Sequence, residues 1–167
     1  MSDVHRALEI ILPLEAGFTD DPEDPGNWTS GRKGRGELKG TKFGISAMSF
    51  PDLDIKNLTI ADAVPIYEEK YWNKCAAEHA PWPLNLYLFD AAINQGVSAA
   101  VKMVQKVLRL QQDGIPGRNT KAKLASSSKW HAVQFMTARA KRYTGTRNFD
   151  RFGNGWLNRL FHLTMES

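Results

Sequence analysis

The sequence is poor in cysteine, has no long apolar run and carries no repeated unit. A single cysteine, Cys75, in 167 residues rules out an internal disulfide. No group of Cys and His stands at zinc spacing, so no metal site is expected. Cys75 is open to two readings, a nucleophile or a small buried hydrophobe. Its place in a helix-like stretch after Tyr71-Trp72 favours the second. No run of apolar residues is long enough to span a bilayer. The N-terminus also lacks the pattern of a signal peptide. Asp3 sits where positive charge belongs, and Glu9 and Pro13 break a short apolar run. The expectation is synthesis in the cytoplasm and, for action on the outside, exit by a route not written in this chain. Low-complexity tracts and long linkers are absent too. With 42% apolar residues, the length suits one domain with a real core, or a domain plus a small appendage.

The formal net charge is +4 and the pI about 9.2. A basic balance suits a polyanionic partner and does not choose among nucleic acid, an anionic membrane and a bacterial envelope. The segment 19–46 is punctuated by Gly26, Gly31, Gly34, Gly36 and Gly40, and no helical period survives there. Short strands around Trp28-Thr29 and Lys42-Phe43-Gly44-Ile45 are expected to pair as a hairpin. Arg32, Lys33, Arg35, Lys39 and Lys42 make its tip basic. That tip reads equally as a solvated loop and as a contact for an anionic polymer.

The remainder reads as helix. Val4, Ala7, Leu8, Ile11 and Leu14 share one helical face over residues 3–15, with Asp3 as N-cap and a kink or tightening at Pro13. Thr59-Ile60-Ala61-Asp62 starts a second helix, which Pro65 can displace. Pro81-Trp82-Pro83 is a rigid break, with Pro83 suited to a first turn. Leu84 to Gln95 follows, stopped by Gly96. Ser98 is the expected cap of a helix to Leu110. Asp113-Gly114-Ile115-Pro116-Gly117 is a tight turn. Asn119 or Thr120 opens a short helix and Ser128 caps a longer one to Tyr143. The last helix, Phe149 to Leu163, is expected to break at Gly153 and Gly155. The fold class is all-α with a small β-hairpin region near residues 26–46.

The chemistry points to the end of the first helix, where Glu15 closes an apolar segment and an acidic, proline-rich loop begins. Burial favours the uncharged form of a carboxyl, so an acid at the edge of apolar surface can hold a proton to donate. More carboxylates follow within a few residues, and glycoside hydrolysis uses two. The plain alternative for Glu15 is a solvated helix cap.

Five motifs, in order, then resemble one family. Leu14-Glu15-Ala16-Gly17-Phe18 with Asp21-Pro22-Glu23-Asp24-Pro25-Gly26 resembles the E-G-G-Y…D-P-x-D-P-G-G signature of glycoside hydrolase family 108. Thr41-Lys42-Phe43-Gly44-Ile45-Ser46 resembles its T-x-F-G-I-[ST] segment, and Ile66-Tyr67-Glu68-Glu69-Lys70-Tyr71-Trp72 its I-Y-x-x-x-Y-W. Phe89-Asp90-Ala91-Ala92-Ile93-Asn94-Gln95-Gly96 resembles F-D-x-A-x-N-x-G. Asp113 to Thr120 is similar to the D-G-x-x-G-x-x-T turn of the peptidoglycan-binding module that accompanies these enzymes. Ala16 and Asn27 stand where the family has glycine, and residues 30–40 lengthen the following loop.

The resemblance implies a mainly helical, lysozyme-like fold and an N-acetylmuramidase, as in phage endolysins and secretion-associated muramidases. It implies a catalytic part over residues 1–96 and a helical peptidoglycan-binding part over 97–167, packed as one compact unit. Glu15 would be the general acid, with no cofactor. Glu-x8-Asp with a nearby Thr is also similar to phage-type lysozymes, where the Asp and Thr hold a water. Asp24 and Thr41 take those places, and Thr29 is the other threonine considered. Asp24 also has the plainer reading of a turn residue bonding its own backbone, and Asp20, Asp21 and Glu37 are rival carboxylates. Asn94 is a candidate sugar-binding residue or a C-cap. Tyr71 and Trp72 are candidates for a sugar platform or for core packing. The expected partner of this monomer is bacterial peptidoglycan rather than nucleic acid. Competing readings are a lytic transglycosylase, a non-catalytic peptidoglycan-binding module and a helical nucleic-acid binder.

Overall fold

The computed structural model describes residues 1–15 and 17–167. Ala16, which replaces a glycine of the signature, lies outside the described residues. Val4, Ala7, Leu8 and Ile11 recur at helical spacing, and all four are buried along helix α1, Asp3–Ile11. The helix then tightens into a 3-10 turn, Leu12–Leu14, with Pro13 inside it. Asp3 does not cap α1. It is the first helical residue, and its Oδ2 accepts from Asn85 Nδ2 at 2.8 Å.

Backbone proximity divides the chain into two units, Leu8–Ile66 and Met1–Ala7 with Tyr67–Ser167. The first unit is largely irregular. Strands β1, Thr41–Lys42, and β2, Ile45–Ser46, pair antiparallel with Thr41 opposite Ser46. The hairpin expected between Trp28-Thr29 and Lys42–Ile45 does not form. Lys42 to Ile45 folds back on itself, and Trp28 bridges Leu38 instead. The reason is local: Phe43 and Gly44 both have positive φ, 53° and 72°, as in the tight turns that match strand twist. Ile45, Ala47, Ile55 and Leu58 are buried in this unit. Helix α2, Ile60–Tyr67, begins as expected. Asp62 Oδ2 accepts from Thr59 N at 2.8 Å and from Thr59 Oγ1 at 2.6 Å. These bonds, hydroxyl first and backbone second, hold the Asp62 carboxyl below its usual range. Pro65 sits inside α2 without displacing its start, and a wider π turn, Glu68–Trp72, follows.

The second unit is helical. After the single turn α3, Asn73–Cys75, come α4, Leu84–Gln95, and α5, Val97–Val107. Then follow α6, Arg118–Ala125, α7, Lys129–Thr144, and α8, Phe149–Glu166. Every residue from Leu84 to Ala92 is buried, and α4 packs on α5 and α7 while α7 packs on α8. Cys75 is wholly buried, and burial pushes its thiol up to about 12, so it is a packing residue and no nucleophile. Three expectations are corrected. Pro83 precedes the first turn of α4 as its cap. Gly96, at φ 88°, is the hinge residue from α4 to α5, so Ser98 lies inside α5, which ends at Val107. Finally, α8 runs unbroken through Gly153. There a β-carbon would stand 2.7 Å from the Phe149 ring, so glycine lets that ring fold onto its own helix. Among the described residues no helix is long and apolar enough to cross a membrane. The fold is mainly helical with one two-stranded hairpin among the described residues.

Candidate active site

Glu15 is placed by the turn that follows α1. Its N–H donates to Leu12 O at 3.1 Å, and at φ −86° and ψ 159° the backbone becomes extended. Its side chain is half-buried. Four residues later Thr19 joins Thr41 through two backbone bonds of 2.9 and 2.8 Å. The chain leaving Glu15 is thereby paired to the start of β1. Gly40 makes the pairing possible. At φ 85°, a β-carbon there would stand 2.5 Å from Thr19 O and 2.7 Å from the Phe18 ring.

The acidic loop is fixed by its own carboxylates. Asp21 Oδ1 accepts from Glu23 N at 2.9 Å. Asp24 caps the 3-10 turn Pro25–Asn27, its Oδ1 accepting from Gly26 N at 2.8 Å. Asn27, wholly buried, ties this loop to Thr41. Its Nδ2 donates to Asp21 O at 3.0 Å, and its Oδ1 accepts from Thr41 Oγ1 at 2.7 Å. Its own carbonyl accepts from both Lys39 N and Gly40 N, each at 3.0 Å. Because the amide nitrogen is committed to Asp21, the oxygen faces Thr41, and the threonine proton must point at it. The lone pairs of the Thr41 oxygen are then the acceptors it offers to any other group. Sequence reading passed over Asn27 as a mere replacement of glycine. The available signal was a short amide after Pro-Gly, the sort of side chain that bonds backbone in turns.

Asn27→Ala strips Asp21 O and Thr41 Oγ1 of a buried partner. The expected loss is about 1–3 kcal/mol, for two part-buried hydrogen bonds at about 0.5–1.5 kcal/mol each. A urea titration reads it as a lower midpoint at unchanged slope; an unmoved midpoint would show that the amide contributes nothing to the loop.

The other sequence candidates lie as follows. Thr29 Oγ1 accepts from Glu37 N at 3.0 Å and stitches the base of the glycine-rich loop rather than the acidic one. Asp20 lines a separate hollow of about 430 Å³ with Asp52, Asp54, Lys39 and Lys56. The loop lysines are engaged locally: Lys33 pairs with Glu23, Lys39 Nζ donates to Pro51 O at 2.7 Å, and Lys42 Nζ to Lys56 O at 3.0 Å. In the helical unit, Trp72 takes the packing role. It is 4% exposed and meets Phe89 edge-on at 5.0 Å. Tyr71 is half-buried, 5.6 Å from Tyr67. Asn94 is exposed one turn after Asp90. With its amide oxygen turned to Arg159 it accepts from the guanidinium at 2.8–3.0 Å. The helix is capped by Gly96, not by Asn94. Among the described residues no cluster of three His, Cys, Asp or Glu side chains is arranged to hold a metal.

Within the first unit the Asn27 side chain therefore links the acidic loop, at Asp21 O, to Thr41, and the backbone pairing of Thr19 ties the chain leaving Glu15 to Thr41. Comparison with known proteins bears on what such an arrangement serves. The family model described as glycosyl hydrolase 108 matches residues 8–96, a span holding Glu15, Asp24, Thr41, Tyr71, Trp72 and Asn94. The solved structure titled "Structure of Brucella abortus SagA" is similar to this chain at 29% identity and a TM-score of 0.71. The similarity covers 98% of this chain and 92% of that one. A comparison with curated proteins gave no match. More than half of the chain fits one family, and the fit begins inside α1, upstream of Glu15. The chain belongs to glycosyl hydrolase family 108, and is a glycoside hydrolase of the peptidoglycan-degrading class.

Proposed function

We propose that the protein is an N-acetylmuramidase, cleaving the β-1,4 bond between N-acetylmuramic acid and N-acetylglucosamine with Glu15 as general acid. The observation that carries this reading is the bond from Thr41 Oγ1 to Asn27 Oδ1. With its proton given to Asn27, the threonine oxygen can only accept, which suits it to orient a water beside Asp24. The other threonine is spent on the Glu37 backbone.

In this mechanism the Glu15 carboxyl gives its proton to the glycosidic oxygen as that oxygen leaves C1 of the muramic acid. A water held between Thr41 and Asp24 attacks C1 from the opposite face and passes a proton to the Asp24 carboxylate. Atoms balance with one water consumed and no other reactant. Single displacement with an intervening water calls for carboxyl groups about 6.5–9.5 Å apart and inverts the anomeric centre. The Gly26 N–H, on Asp24 Oδ1, holds that carboxylate in one orientation. Tyr71 is the candidate for stacking on a sugar ring, since the neighbouring Trp72 ring is occupied by Phe89. Residues 97–167 supply wall binding, and the enzyme works on the periplasmic wall in phage lysis or in assisted secretion.

Mass spectrometry of purified peptidoglycan after digestion tests the bond. Muropeptides ending in reducing N-acetylmuramic acid are expected. Anhydro-muramic ends would make the protein a lytic transglycosylase, and reducing N-acetylglucosamine ends would move the cut to the other linkage. Sedimentation with walls but no new ends would leave a binding module.

A further inference from the structure

The positive charge of the chain is not concentrated where the glycine-rich loop suggests. Residues 91–149 carry eleven Lys and Arg against one acid, Asp113, so the rest of the chain is net negative. Asp113 is exposed but lies outside the groove between α5 and α7, and its Oδ1 accepts from Ile115 N at 2.9 Å and from Gln105 Nε2 at 2.7 Å. Much of the basic charge borders one groove of about 1390 Å³ between α5 and α7, where Lys102 and Lys106 face Lys141 and Arg142. No carboxylate among the described residues lines this groove. Trp130, 64% exposed, and Val133, 52% exposed, give it an apolar wall, and Trp130 also borders an adjoining hollow of about 340 Å³.

We infer that the α5–α7 groove is a second binding site, for the carboxylate-bearing stem peptides of peptidoglycan. The inference rests on the wall-hydrolase reading for the identity of the ligand. Length supports it: the eleven residues of α5 span about 16 Å at 1.5 Å per residue. That distance accommodates about five extended residues at 3.3 Å each, the length of a stem peptide. The chemistry matches along that length. Free carboxylates on the D-glutamyl, diaminopimelyl and terminal D-alanyl residues meet the lysines and Arg142, as charge-assisted bonds favour. Alanyl methyl groups lie on Trp130 and Val133. The glycan itself has no comparable run of carboxylates. A flat lipid surface would leave the concavity and its apolar wall unfilled.

The test is titration of the soluble stem tetrapeptide L-Ala-γ-D-Glu-diaminopimelate-D-Ala into the full, isotopically labelled chain, followed by NMR. Saturable shifts confined to α5, α7 and the Trp130 indole are expected. Lys102→Glu/Lys141→Glu should weaken binding at least tenfold with an unchanged circular dichroism spectrum, and Trp130→Ala should weaken it without a change of charge. No hydrolysis enters this readout, so an inactive protein that still binds the peptide would overturn the catalytic reading and leave this one standing. Absent shifts, shifts elsewhere, or variants that bind as the parent does would overturn the groove. So would a short DNA duplex that perturbs the same amides at lower concentration than the peptide.

Discussion

Glu15→Gln is expected to lower peptidoglycan hydrolysis by about a hundredfold to ten-thousandfold. General acid catalysis contributes about 10²–10⁴-fold, and the glutamine amide keeps the shape of the side chain while having no proton to give. The loss should fall on kcat, since the proton moves only as the bond breaks. Folding should be untouched, because the turn at this residue is held by its backbone N–H on Leu12 O, which the substitution retains. The measurement is release of reducing ends from purified walls, with the melting temperature recorded alongside. More than a tenth of the parent rate would sink the assignment of the acid. Asp24→Asn and Thr41→Val are useful companions: both leave the Glu15 carboxyl in place, so each should retain more activity than Glu15→Gln.

The largest expected effect on stability is at Asp90. Its carboxylate, wholly buried on α4, accepts from Arg139 Nη2 at 2.6 Å and from Arg159 Nε and Nη2 at 2.9 and 2.6 Å. Arg139 is itself wholly buried on α7, and Arg159 is largely so on α8. Asp90→Ala leaves two guanidinium groups without their counter-charge. Breaking a buried pair from one side costs about 3–5 kcal/mol. For a chain of this length that is a fall in Tm of about 6–20 °C, at about 2–4 °C per kcal/mol. Arg139→Met should cost less, because Asp90 keeps both bonds from Arg159 and the methionine fills apolar space. Calorimetry of the two variants checks the order; an Arg139→Met protein less stable than Asp90→Ala would contradict it.

Local patterns carried much of the fold into the sequence. The apolar spacing of α1 and the tightening at Pro13 were visible, as were the Thr59–Asp62 start and the Gly96 stop. So was Ser128, which exchanges bonds with His131 at the head of α7. The Asp113 turn was visible too, and the Ile115 N–H and then Gln105 hold that carboxyl below its usual range. Each of these depends on residues within a turn or so of one another. What the sequence hid depends on distant partners. Asn27 meets Thr41 fourteen residues on, and Asp90 meets arginines 49 and 69 residues away. No periodicity encodes such pairs. Gly153 was misread because propensity treats glycine as a helix breaker, whereas a ring folding back on its own helix selects for it. Tyr71 and Trp72 were inseparable because neighbours on a helical turn face different directions, and the pattern does not say which one points inward.

The buried state of Cys75 has a practical consequence. The folded chain presents no reactive thiolate, and no second cysteine exists to compete. A cysteine introduced at an exposed position is therefore the sole labelling site on the native molecule. Fluorophores, spin labels and cross-linkers can be attached beside Glu15 or along α7 while the natural residue stays in place.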